Sequence, residues 1–287
     1  MTADASSQGP SRAFSQVDVF APEPLTGNPV AVVHDATGMS EEQMAAFANW
    51  TNLSETTFLL PASDPRADYR LRIFTPAREL PFAGHPTLGS AHAWLEQGGV
   101  PASEDVIVQE CGLGLVTLRR TPSGLAFRAP DLLRSGPVDD ATLAQAVDAL
   151  GVAPDRVVDA NWVDNGPGWL GVLLRSADDV LAIDPDLGVM GDLRVGVIGP
   201  HGPGGPADYE VRAFVPSLSV AEDPVTGSLN AGLAVWLVGA GVLPASYSVR
   251  QGTALGRRGD VRISSNAEGE LWVGGTSRTV ISGRLQL

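Results

Sequence analysis

Tyr69-Arg-Leu-Arg-Ile-Phe-Thr-Pro76 returns 140 residues later as Tyr209-Glu-Val-Arg-Ala-Phe-Val-Pro216. Both copies alternate polar and apolar residues and stop at proline, which cannot continue a strand ladder, so each reads as a half-buried strand. Other matches fall around this pair in the same order. Gly27-Asn28-Pro29 followed by Val30–Val33 resembles Asn165-Gly166-Pro167 followed by Trp169–Leu174. Gly84-His85-Pro86, with Trp94-Leu95 after it, matches Thr226-Gly227-Ser228, with Trp236-Leu237 after it, at an offset of 142. Val108-Gln109-Glu110 answers Arg250-Gln251-Gly252 at the same offset. Four matches in one order, spaced by about half of the 287 residues, indicate a duplication.

The expected architecture is therefore α+β, with two pseudo-symmetric domains. The two apolar helices, about Pro86–Gln97 and Gly227–Val238, are hydrophobic nearly all round and must lie inside something. A curved, barrel-like sheet wrapped around each is the simplest container. The early helix of each half has its own punctuation. Ser40-Glu-Glu-Gln43 is a capping box opening Glu41–Trp50, and Asp140–Leu150 ends at Gly151. The expected boundaries are 13–128 for the first domain, completed by the C-terminal strand 278–287, and 129–277 for the second. Residues 1–12 are expected to be a disordered leader, since they are polar and lack the apolar core of a signal peptide. Thr121–Asp140, rich in proline and glycine, is expected to cross between the halves, and Gly199–Pro206 to be a loop without core residues.

Composition narrows the partners. Nineteen Lys and Arg against 33 Asp and Glu give a net charge of −14, which repels phosphate backbones and anionic lipid. Neither nucleic acid nor membrane is expected as a partner. The longest apolar run, Ala231–Leu243, is too short to span a bilayer. The single cysteine, Cys111, rules out an internal disulfide and fits a reducing cytoplasm, the expected location. An anionic substrate would need a local positive site inside this repulsive field.

The turns launching the two buried helices meet that need. Phe82-Ala-Gly-His-Pro-Thr87 and Glu222-Asp-Pro-Val-Thr-Gly-Ser228 place small residues and unpaired N–H groups at helix N-termini, a geometry that binds a carboxylate without lysine. Read on one copy alone, each is an ordinary capped helix start; the duplication suggests two such ends facing a common cleft. His85 lies at the first of these ends. Asp223 lies in the second, held extended by Pro224, with an N-cap role as its plainer reading. Glu55, among β-branched and apolar neighbours in Asn52-Leu-Ser-Glu-Thr-Thr-Phe58, should have a raised pKa, which suits a general acid/base; a solvated loop Glu is the alternative. No Gly-x-Gly-x-x-Gly, P-loop, nucleophile elbow or metal-ligand spacing is present, which leaves cofactor-free proton chemistry with no metal.

Gly27-Asn28-Pro29, Ser54-Glu-Thr-Thr-Phe58, Glu79-Leu-Pro-Phe-Ala-Gly-His-Pro-Thr87 and Glu222-Asp-Pro-Val-Thr-Gly-Ser228 together resemble the PhzF, or phenazine-biosynthesis isomerase-like, family from about Val17 onward. The resemblance implies the diaminopimelate-epimerase-like fold and a homodimer. It further implies an isomerase that moves a proton on a cyclohexadiene amino acid without a cofactor. Carried over residue by residue, Glu55 shuttles the proton, His85 and Asp223 assist, and Gly84, Gly227 and Ser228 hold the substrate, with Ser54 beside them. The epimerase relatives carry a cysteine at each helix start, where this chain has Gly84 and Thr226, so a two-thiol mechanism is excluded. The phenazine enzyme has an arginine just after the second Asn-Gly-Pro, where this chain has Gly168. The rival reading of the same cleft is a non-catalytic small-acid binding or sensor protein.

Overall fold

The two copies of the duplicated strand occupy equivalent places in the computed structural model, which describes residues 10–216 and 221–287. In chain order the first stretch holds β1 (Ser11–Val19), β2 (Asn28–Val33), α1 (Glu41–Thr51), β3 (Glu55–Leu60), β4 (Tyr69–Phe74), β5 (Glu79–Leu80) and α2 (Gly84–Glu96). It continues with β6 (Val106–Cys111), β7 (Gly114–Thr121), β8 (Gly124–Arg128) and β9 (Arg134–Pro137). The second stretch holds α3 (Asp140–Leu150), β10 (Val157–Asp164), β11 (Trp169–Leu174), α4 (Ala177–Leu181), α5 (Leu187–Met190), β12 (Arg194–Pro200) and β13 (Tyr209–Phe214). It closes with α6 (Gly227–Gly239), β14 (Tyr247–Gln251), β15 (Gly259–Ser265), β16 (Leu271–Gly275) and β17 (Ser277–Gln286).

The pairing repeats step for step. β1 lies antiparallel to β2, β2 parallel to β3, β3 antiparallel to β4, β4 parallel to β6, and β6, β7 and β8 antiparallel in turn. The series β10, β11, β12, β13, β14, β15, β16 shows the same senses in the same order. The two series join where β8 pairs with β16. Each is closed by the strand that follows the other: β17 runs beside β1, and β9 beside β10. Helix α2 packs against β1, β2, β3, β8 and β17, and α6 against β10, β11, β15 and β16. Both helices are buried over most of their length, so the mixed α and β fold is a sheet bent around two apolar helices. Among the described residues no helix is long and apolar enough to cross a membrane.

Local punctuation sets most boundaries. The Ser40–Gln43 capping box is present, and α1 ends at Asn52 in the left-handed region. α3 ends at Gly151, also left-handed. Four expectations are revised. Helix α2 begins at Gly84, two residues early, because a proline in the first turn lacks only an N–H that would have no helical partner. Glu55 is the first residue of β3 and not part of a loop. The segment 121–140 contains β8 and β9, so the crossing is shorter than its proline content suggests. Gly199 is buried within β12, and the loop after it begins at His201. The expected leader lies mostly outside the described residues, but Ser11 and Arg12 belong to β1.

The decisive contact joins the two buried helices at their N-termini. A Cβ built on Gly84 would lie 2.7 Å from the Gly227 backbone and 2.8 Å from Ser228 N. A Cβ on Gly227 would lie 2.9 Å from Gly84 Cα. Both obstacles are backbone, which cannot swing aside as a side chain could. Gly84→Ala is expected to cost about 3 kcal/mol in urea unfolding, the upper range of overpacking. Gly239→Ala, whose added Cβ meets nothing within 4 Å, should stay within about 1 kcal/mol of wild type. Similar stability for the two variants would refute the backbone contact.

Candidate active site

Glu55, His85 and Asp223 are delivered by three different elements. The parallel pairing of β2 and β3 sets Val30 opposite Glu55 and so places the carboxyl at the strand start. His85 projects from the first turn of α2. Asp223 follows a bridge between Phe214 and Glu222, and its N–H donates to the Ala213 carbonyl at 2.9 Å. That turn is held by the buried pair of Arg212 and Glu222, whose two bonds measure 3.0 and 2.8 Å. All three site groups are at most 9 % exposed.

Glu55 Oε2 lies 3.3 Å from His85 Nε2, yet the two are not aligned as a hydrogen bond, and neither atom has another partner among the described residues. Both are thus available to a group placed beside them. On the other side of the ring, Asn28 Nδ2 lies 3.2 Å from His85 Nδ1 and donates to Asp223 Oδ1 at 2.8 Å. Asp223 Oδ2 accepts from Thr226 Oγ1 at 2.6 Å. Asp223 is therefore not the N-cap of α6; Thr226 occupies that position. Gln251 completes the frame, donating to Thr226 Oγ1 and to the Asp223 carbonyl at 2.9 and 3.1 Å.

Burial decides the protonation states. Loss of water raises the Glu55 carboxyl well above its ordinary range, and the nearby Asp223 charge raises it further. Burial also pushes Asp223 up, to about 6, against the opposing hydrogen bonds from Thr226 and Asn28. The same desolvation pushes His85 down to about 3. Near neutral pH the imidazole is therefore neutral, and the Glu55 carboxyl beside it holds its proton more tightly than an exposed carboxyl does.

The structure brings Ser54, Glu55, Gly84, His85, Asp223, Gly227 and Ser228 to the wall of one small cavity of about 50 Å³. Neither α2 nor α6 has a side-chain cap at its N-terminus, so their first N–H groups remain free to receive an anion. Ser228 Oγ accepts from the Trp169 indole at 3.1 Å, which leaves its own proton to donate. Asn28, Trp169, Arg78 and Arg194 belong to this neighbourhood and were not singled out from the sequence. Asn28 sat in a quoted motif, but its bridging role depends on a contact across 195 residues. A larger depression of about 490 Å³ lies by the far end of α6, where Arg128 and Glu270 are paired at 2.7 Å. It brings together no cluster of buried titratable groups.

Comparison with known proteins finds relatives along nearly the whole chain. The family model described as phenazine biosynthesis-like protein matches residues 17–283. Antisense-enhancing sequence 1 of Schizosaccharomyces pombe is 37% identical, covering 94% of this chain and 97% of its own. Trans-2,3-dihydro-3-hydroxyanthranilate isomerase of Pseudomonas aeruginosa is 35% identical, covering 88% of this chain and 89% of its own. A crystal structure of a phenazine biosynthesis protein, PhzF family, from Enterococcus faecalis superposes with a TM-score of 0.78 at 27% identity. It covers 97% of this chain and all of its own.

The raised Asp223 value has a consequence for stability. The folded state holds this proton more tightly than the unfolded chain, whose carboxyl titrates near 3.8. Stability from this group therefore falls as pH rises between about 4 and 6, and the penalty remains above that window. Asp223→Asn is expected to be more stable than wild type by about 2 kcal/mol at pH 7.5, with a smaller gap at pH 5, in urea unfolding. A gap independent of pH would show that ionisation of Asp223 is not its cause.

Proposed function

The chain belongs to the phenazine biosynthesis-like family, and on that footing we propose an isomerase that shifts a proton, and with it a double bond, on a small carboxylate-bearing metabolite. The substrate is taken to be cyclic and amino acid-like, and the chemistry to need no cofactor. The relatives named as isomerases support the reaction class. The observation that carries the reading is the approach of Glu55 Oε2 and His85 Nε2, buried, 3.3 Å apart and with no other partner among the described residues, beside two uncapped helix ends.

Glu55 alone can balance the reaction. As a neutral acid it gives its proton to one carbon of a conjugated system. The carboxylate so formed then removes a proton from another carbon, which moves the double bond and restores the acid. His85, a neutral imidazole, stands 3.3 Å from Oε2 and can bond a group placed between them, and Asn28 holds His85 against Asp223. The substrate carboxylate sits at the N-termini of α2 and α6, where the Ser228 hydroxyl adds a donor. Ligand cavities are commonly about 300 Å³ or more, so admitting a six-membered ring requires the cavity walls to part.

The two-domain division, 13–128 with 278–287 against 129–277, belongs to the same proposal and rests on the repeated pairing of the strands. So does the homodimer, for which light scattering should give a mass near twice 29.8 kDa; a mass near 29.8 kDa at micromolar concentration would count against it.

The direct test is deuterium uptake from heavy water into cyclic amino acids, beginning with trans-2,3-dihydro-3-hydroxyanthranilate. Glu55→Gln is expected to slow exchange by at least about 10²-fold, the usual effect of removing a positioned acid/base. Equal exchange by variant and wild type would exclude Glu55 as the proton carrier. Tight ligand binding with no exchange by wild type would favour the small-acid sensor.

A further inference from the structure

Taking the cavity as the substrate site of that reading, we propose that the substrate carries a second anionic group and that Arg78 and Arg194 receive it. Arg194 opens β12 as Glu55 opens β3. Trp169 of β11 lies opposite Arg194, just as Val30 of β2 lies opposite Glu55, both in parallel register. The duplication thus sets an acid on one wall of the cavity and a guanidinium on the equivalent position of the other, and both residues line it.

Arg194 is partly buried, and its Nη1 donates to the Pro167 carbonyl. Asp164 is close enough to favour its charge, but Asp164 Oδ1 already accepts from the N–H groups of Gly166 and Gly168 at 2.7 and 2.6 Å. Arg78 lines the same cavity from an exposed turn. That turn is locked. Thr75 N donates to the Arg78 carbonyl at 2.8 Å, Arg78 N donates to Thr75 Oγ1 at 3.0 Å, and Asn49 Nδ2 holds the Pro76 carbonyl at 3.0 Å. Among the described residues neither arginine has an acidic side chain within ion-pair distance.

Two neighbouring cations without an acidic partner among the described residues are unfavourable. Burial works against the charge of Arg194, and Arg78 adds to the effect. A carboxylate or a phosphate answers both guanidinium groups with paired acceptor oxygens. With the helix ends and Ser228 taken as the seat of the first carboxylate, as proposed above, one small molecule with two acidic groups satisfies both. A monoacid satisfies one.

The test is calorimetric binding of three probes that differ in the second group: glutarate, 3-phosphonopropionate and pentanoate. Wild type should bind at least one of the diacids about tenfold or more tightly than pentanoate, as expected for a charge-assisted contact. The better diacid identifies the second group as carboxylate or phosphate-like. Arg78→Gln and Arg194→Gln, each checked by circular dichroism, should reduce that preference severalfold, and Arg194→Lys should keep part of it. Binding of neither diacid better than pentanoate, or an undiminished preference in both glutamine variants, overturns the assignment. Glu55→Gln separates the two proposals: it should keep the diacid preference while losing exchange. Loss of exchange without any diacid preference would sink the arginine assignment alone.

Discussion

Everything in the site depends on the contact between Gly84 and Gly227. Two apolar helices, each held in its own bend of the sheet, meet with backbone against backbone, and a Cβ on either residue would enter the other's main chain. That approach sets two sets of free N–H groups side by side. It also brings Glu55 and His85, from the first repeat, to the same cavity as Asp223 and Ser228, from the second. Either helix end alone is an ordinary helix start without a side-chain cap. Brought together, they make a positively polarised floor under the buried Glu55 and His85.

Charge is managed locally against a global background of −14. Desolvation has the largest share: it raises the Glu55 carboxyl, keeps His85 neutral near neutral pH, and lifts Asp223 to about 6. The cost of burying these groups is carried by the frame around them. Thr226, Asn28 and Gln251 hold Asp223, and Arg212 neutralises the adjacent Glu222. The site therefore combines weakly solvated acids with a rigid hydrogen-bonded backing, which suits the proton shift proposed for Glu55.

Much of this was legible in the sequence because the informative features are local. Alternation ending at proline marked β4 and β13, the capping box marked α1, and the repeat announced the two central helices. Glu55, His85 and Asp223 stood in short motifs whose residue types already suggested a carboxyl, an imidazole and a helix end. The rest depends on geometry that no window contains. Arg194 acquires its place through register with Trp169, and Arg78 through a turn locked by Thr75. Asn28 bridges residues 57 and 195 positions away. Where the reading slipped, strong local signals misled it: proline and glycine hid β8 and β9, and Gly-His-Pro read as a turn although it opens α2.

The central claim is that Glu55 is held as a neutral acid within the cavity near neutral pH. Infrared difference spectroscopy between wild type and Glu55→Gln at pH 7 tests it directly, since a protonated carboxyl has a carbonyl stretch that a carboxylate lacks. A carboxylic acid band is expected in wild type and not in the variant. A spectrum in which the variant removes only carboxylate bands would contradict it.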